Sequence, residues 1–282
     1  MSLPPKDWPN RDASRVVQVM PHRWHVQQMG EGPDVLLLHG AGASAHSWAP
    51  IAPQLQSLYR LFVPDLPGLG FTQSPKGRAR LPDMAQDLSA LLNDQGISPK
   101  VVIAHSAGGA IALEMTRRGL ITPDRIVILN GALEDFKGAA GVIFPVIAKI
   151  LVLNPLTGMF LSSGPQSLSQ ARAVIKSTGS ELPETLLTPY AQLIGRKPHV
   201  DGTLGMMAQW SLADLTRALP EIATPTLFVH GAKDSAVDVS VAERAARAMP
   251  NARLVVMDDV GHLAHEEAPE TVADHIKAFT QT

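Results

Sequence analysis

The sequence predicts an α/β fold: a mostly parallel sheet with helices on both faces and a helical cap inserted late in the sheet. Three observations carry this. Short, continuous Val/Ile/Leu runs recur along the chain: Val35–Leu38, Leu61–Val63, Val101–Ala104, Ile126–Leu129, Thr226–Val229 and Leu254–Met257. Such runs suit strands buried on both faces. Longer amphipathic stretches lie between them, at Asp83–Asn93, Ala107–Arg118, Val239–Ala248 and Glu266–Phe279. Alternation of the two implies a parallel sheet. The alternation then stops between about Leu133 and Ala213, where helical stretches and Pro/Gly punctuation replace strand runs. The expected organisation is a core first part at 1–132, a helical cap at 133–215 and a core second part at 216–282.

The bulk properties agree with one core carrying one insertion. The chain has 282 residues, 45% hydrophobic and 18% charged, an ordinary globular composition near the upper size for a single core. A net charge of −2 offers no electrostatic footprint for nucleic acid. Without cysteine there is neither disulfide nor thiolate metal site. The first residues contain no apolar run of signal-peptide length, so the cytoplasm is the default expectation. Ala139–Leu161 is the most apolar stretch, but Pro145, Asn154 and Pro155 interrupt it, and a spanning helix is rejected. Burial within the cap is the expected use of this stretch, with contact to a ligand, a partner or, peripherally, a membrane as the alternatives.

Val101–Ile111 reads as a strand, a tight turn with Ser106 at its apex, and a helix. That context exposes a serine hydroxyl and aims the following N–H, of Ala107, at a developing oxyanion. The small flanks Ala104 and Gly108 let strand and helix approach closely. The plain alternative is an N-cap serine.

His262 follows the last strand run, where a general base can reach a serine on a central strand. A metal pair of His262 and His265 is the competing use; no third ligand cluster accompanies it, and no metal or cofactor is expected. Asp234, in His230-Gly231-Ala232-Lys233-Asp234, can orient the imidazole; Glu134 and Asp135 are the substitutes. Serine, acid and histidine then fall in the chain order of a nucleophile-elbow hydrolase. His39-Gly40-Ala41-Gly42-Ala43-Ser44 supplies a turn whose Ala41 N–H would join that of Ala107 in an oxyanion hole, with Gly42 as the alternative donor. Gly40, Gly42, His105, Phe144 and Met207 are expected around the substrate.

His39-Gly40, Asp65-Leu66-Pro67-Gly68-Leu69-Gly70, the Ser106 turn, Asp234 and Gly261-His262 together resemble the α/β-hydrolase superfamily. The resemblance implies an eight-stranded, mostly parallel sheet with helices on both faces and an inserted helical cap. Two departures are Ala104, in place of the usual glycine, and Leu69, where a histidine is common. Further segments are similar to one subfamily, the magnesium-chelatase accessory proteins of bacteriochlorophyll-making bacteria. They are Trp8-Pro9-Asn10-Arg11, Ala13-Ser14-Arg15, Arg23–Gln27, Gly42–Trp48, Leu129–Leu133, Thr178-Gly179-Ser180 and Met206–Trp210.

A serine hydrolase acting on an ester or activated carbonyl of a bulky hydrophobic substrate is the expected function. The subfamily resemblance implies a role near magnesium insertion into protoporphyrin, with magnesium chelatase as a partner; it does not supply a substrate, for which a tetrapyrrole ester is the candidate. The alternative it implies is a non-catalytic porphyrin binder, in which His105 or His199 could touch a porphyrin metal. Carbon–carbon bond hydrolysis would use the same machinery. A dehalogenase is disfavoured because the nucleophile is serine rather than aspartate.

Overall fold

A computed structural model of the chain describes residues 3–134 and 165–281. Eight strands form one sheet: β1 Ser14–Val19, β2 His22–Met29, β3 Asp34–Leu38, β4 Arg60–Pro64, β5 Val101–His105, β6 Arg125–Leu129, β7 Thr226–Gly231 and β8 Ala252–Met257. Their order is β1-β2-β4-β3-β5-β6-β7-β8. The pairings β1–β2 and β2–β4 are antiparallel, and every later one is parallel.

Each apolar run expected to be a strand is one. In β3, Leu36 and Leu38 join the hydrophobic cluster on one face, while Val35 and Leu37 join the cluster on the other. Period-2 alternation along a strand covered on both sides has this result. The helices Leu81–Asp94, Ala107–Arg117 and Val239–Ala248 cover the first face; Pro269–Thr280 covers the second through Val272, Ala273, Ile276 and Phe279. The C-terminal helical stretch is split in two, Ala264–Glu267 and Pro269–Thr280. Pro269 causes the break: it has no N–H to continue the ladder, and it drives Ala268 to φ −136°, ψ 60°.

β1 and β2 carry no continuous apolar run like those of the later strands. β2 is nevertheless largely buried, and its buried polar side chains each make at least one hydrogen bond, Gln27 through its amide nitrogen alone. His22 Nε2 meets Asp87 at 2.7 Å, His25 Nδ1 meets Asp65 at 2.7 Å, and Gln27 donates to the Pro9 carbonyl at 2.7 Å. Satisfied polar groups can be buried without an apolar pattern to announce them.

Between β6 and β7 the described residues are helical, at Pro165–Ser177, Glu184–Ile194, Lys197–Gln209 and Ala213–Ala218. Ala171, Ile175, Leu187, Tyr190 and Ala191 from this region pack on Ala43 and Leu263 of the core. Asp135, Phe144 and the Ala139–Leu161 stretch lie outside the described residues. Among the described residues, no helix is long and apolar enough to cross a membrane.

Candidate active site

Ser106 stands at the carboxyl end of β5, between the strand and the Ala107–Arg117 helix. Its backbone is at φ 52°, ψ −120°, a conformation that costs a non-glycine residue roughly 1–3 kcal/mol. Three main-chain hydrogen bonds hold it there. The Ser106 N–H donates to Leu129 at 3.0 Å, and its carbonyl accepts from Gly109 at 3.0 Å and Ala132 at 3.1 Å. Close approach explains the glycines around it. A Cβ on Gly108 would lie 2.4 Å from the Leu38 carbonyl, and one on Gly40 would lie 2.8 Å from Ser106 Cβ. Ala104 is fully buried in the sheet, so the methyl group in place of the usual glycine hydrogen is accommodated. Leu69 is likewise a fully buried core residue.

The Gly40–Ala43 turn follows β3, closed by the Ala43 N–H on the Gly40 carbonyl at 3.3 Å. Gly42 occupies its third position with φ 75°, which a type II turn requires. His39 anchors the turn: Nδ1–H donates to the Gly40 carbonyl at 2.8 Å and Nε2 accepts from the Leu66 N–H at 2.9 Å. Burial lowers its pKa below the ordinary imidazole value, as a ring with one donor and one acceptor nitrogen needs.

Asp234 and His262 meet. His262 Nδ1 lies 2.8 Å from Asp234 Oδ2. The same oxygen accepts from Asn130 Nδ2 at 2.8 Å, and Oδ1 accepts from the Ala236 and Val237 N–H groups at 2.7 and 2.9 Å. Burial alone would raise this carboxyl. The His262 charge and hydrogen bond, the Val237 N–H and Asn130 outweigh burial and lower its pKa. Glu134 is instead paired with Arg244, at 2.6 and 2.9 Å.

Other imidazoles are committed elsewhere. His265 Nε2 meets Ser47 Oγ at 2.8 Å, so it does not pair with His262 around a common ligand. His199 is buried away from the cavity, its Nδ1 accepting from the Gly70 N–H at 2.9 Å. His105 is buried, and its Nε2–H donates to the His262 carbonyl at 2.9 Å. Burial, then the neighbouring His265 and His262 rings, hold it well below the ordinary value.

Ser106 and His262 open together onto a cavity of about 120 Å³. Ala41, Gly42, His105 and Met207 line it, with Val174, Ile175, Val237 and Leu263 adding apolar surface. Gly40 and Ala107 are packed behind the lining, against the Ser106 turn. Among the described lining residues, the histidines are the only ones that could carry positive charge, and none is acidic.

Sequence reading missed two supports. Asn130 donates to Asp234, as above, and also to the Gly261 carbonyl at 3.2 Å. The Thr178-Gly179-Ser180 turn runs beneath both loops: Ser235 N–H donates to the Thr178 carbonyl at 3.0 Å, and Leu263 N–H to Ser180 Oγ at 2.8 Å. Both lie in segments noted only as subfamily motifs. Asn130 just after a strand run and Gly179 just after a helical stretch, both residue types that accept positive φ, were the available signal.

The sequence profile of the α/β hydrolase fold matches residues 33–269. The chain belongs to the α/β-hydrolase fold family. Within this family it is similar to the magnesium-chelatase 30 kDa subunit of Rhodobacter capsulatus, with 42% identity over 96% of each chain. It is also similar to the 2-hydroxy-6-oxononadienedioate/2-hydroxy-6-oxononatrienedioate hydrolase 2 of Pseudomonas putida, with 27% identity over 91% of each. Among solved structures, an esterase from Exiguobacterium antarcticum superposes with TM-score 0.78 at 21% identity, covering 95% of this α/β-hydrolase chain and 99% of the esterase.

Proposed function

We propose that this α/β hydrolase is a serine hydrolase acting on an ester or activated carbonyl of a bulky hydrophobic substrate, in bacteriochlorophyll synthesis and in association with magnesium chelatase. The observation that carries the chemistry is the 2.8 Å contact between His262 Nδ1 and Asp234 Oδ2, on a cavity shared with Ser106. Likeness to a magnesium-chelatase subunit over 96% of the chain supports the setting.

In this reading Ser106 Oγ attacks the carbonyl carbon, and His262 Nε2 takes the hydroxyl proton. Asp234 accepts the Nδ1–H, fixing the tautomer and stabilising the imidazolium. The tetrahedral oxyanion is met by the N–H groups of Ala41 and Ala107; one such donor is worth about 2.7–4 kcal/mol in the transition state. Collapse expels the alcohol, which receives the proton from His262. Water, deprotonated by the same imidazole, then releases the acid and restores the serine. No cofactor enters. With no acidic side chain and no Lys or Arg in its described lining, the cavity suits the neutral ester end of a substrate. Carboxylates of a tetrapyrrole would stay outside it.

A second reading is a non-catalytic porphyrin-binding accessory protein, favoured by the relative's name as a chelatase subunit. Ser106→Ala separates the two, since it removes one oxygen and leaves the cavity shape. A fluorophosphonate probe should label the native protein and not the variant, and the variant should fail to restore pigment synthesis in cells lacking the native protein. Full restoration at matched protein level refutes the hydrolase.

A further inference from the structure

We propose that Asn130 is a positioning residue of this site, bracing the Asp234 carboxylate against the loop that carries His262. The proposal rests on the hydrolase reading above. Asn130 is the first residue beyond β6, at φ 47°. Few side chains tolerate that conformation, and asparagine is among those that do. Its N–H continues the sheet, donating to the Val229 carbonyl at 2.9 Å. The left-handed turn then sends the side chain across the ends of β6 and β7.

The two amide hydrogens have two acceptors. One is Asp234 Oδ2 at 2.8 Å, and the other is the carbonyl of Gly261, the residue before His262, at 3.2 Å. One group thus ties the acid to the backbone of the base. The need for the tie is visible in how the carboxylate is held. Oδ1 is fixed by the Ala236 and Val237 N–H groups, whereas Oδ2 meets Asn130 and His262. His230 Nε2 is 3.5 Å from Oδ2 and donates instead to the Val237 carbonyl at 3.0 Å. Without Asn130, the one close hydrogen-bond donor left on Oδ2 is the group that must change charge during turnover.

Asn130 Oδ1 is buried with no hydrogen-bond partner. An orphaned buried oxygen opposes folding, so the side chain is held here by its conformational fit and by its two donated hydrogen bonds.

Charge discriminates this role from a structural one. The titratable groups facing this corner are Asp234, His262, His230, Asp238 beside His230, and Glu267, which accepts from the Gly261 N–H at 3.0 Å. Asn130→Asp keeps the side-chain shape. While protonated, the introduced carboxyl can donate to Asp234 as the amide does. Once ionised, it confronts Asp234 carboxylate to carboxylate.

The test is the rate of Ser106 acylation by a fluorophosphonate from pH 5 to 10, which requires no knowledge of the natural substrate. Asn130→Ala should acylate roughly 10–100-fold more slowly than the native protein. Asn130→Asp should approach the native rate on the acid side and gain a descending alkaline limb absent from the native profile. Both variants acylating within twofold of native at every pH overturn the proposal. So does a loss in Asn130→Asp that is the same at every pH, since a structural defect would act that way. Should Asn130→Ala not fold, the Asn130→Asp profile decides alone. A native protein that is not labelled at all removes the hydrolase reading, and this proposal with it.

Discussion

At the scale of single residues, the site depends on groups whose charge is set by their surroundings. Asp234 accepts four hydrogen bonds, two on each oxygen. Asp234→Asn cannot serve as acceptor at all four and favours the wrong imidazole tautomer, so fluorophosphonate acylation of Ser106 should fall by about 10⁴-fold. Glu266 shows the opposite tuning. Burial pushes its carboxyl up to about 8, against hydrogen bonds from Ser47 and Tyr190 that favour the ionised form. It is therefore a neutral acid near pH 7, linking the core to the Glu184–Ile194 helix through Tyr190 at 2.5 Å. Because the folded pKa lies above the ordinary value of 4.5, the stability tied to this group is full below about pH 4.5. It is lost as pH rises through about 8. Glu266→Gln should leave Tm near native at pH 4.5 and raise it relative to native at pH 9, by thermal melts at both. A native protein equally favoured at both pH values would contradict the buried neutral acid.

At the scale of elements, the cap-side segments meet the core backbone to backbone. Gly179 sits at φ 83°, and a Cβ there would lie 1.8 Å from the Lys233 carbonyl. A Cβ on Gly202 would lie 2.1 Å from the Gly68 carbonyl. Gly179→Ala must therefore lift the Thr178-Gly179-Ser180 turn away from the Asp234 and His262 loops. A loss of more than about 1 kcal/mol in urea unfolding is expected, with slower Ser106 acylation. Native stability with native acylation would show that the turn does not support the site. The strand ends were legible in the sequence because every parallel strand contains a continuous apolar run of at least three residues. β2 was not, since His22, His25 and Gln27 are buried through partners distant in the chain. Composition cannot reveal a partner.

At the scale of the whole molecule, the cavity lies where the carboxyl edge of the sheet meets the cap-side helices, with Val174, Ile175, Tyr190 and Met207 closing over Ser106. Met207 is only partly buried, so Met207→Glu should fold. A carboxylate there, facing apolar walls, should slow acylation by a long-alkyl fluorophosphonate by tenfold or more while affecting a short-chain probe less. Equal effects on both probes would remove Met207 from the substrate path.

The parallel sheet and its helical layers were determined by sequence alone, because hydrophobic period is a local property of the chain; Ser106, Asp234 and His262 were legible as candidates, because strand-end turns are local too. Choosing Asp234 over Glu134 needed tertiary structure. Both follow strands, and only folding shows one beside His262 and the other beside Arg244. The same is true of the Asn130 brace, the Gly179 support and the neutral state of Glu266. Each depends on groups 50 or more residues away in the chain, and on the exclusion of water that makes their hydrogen bonds and charges count.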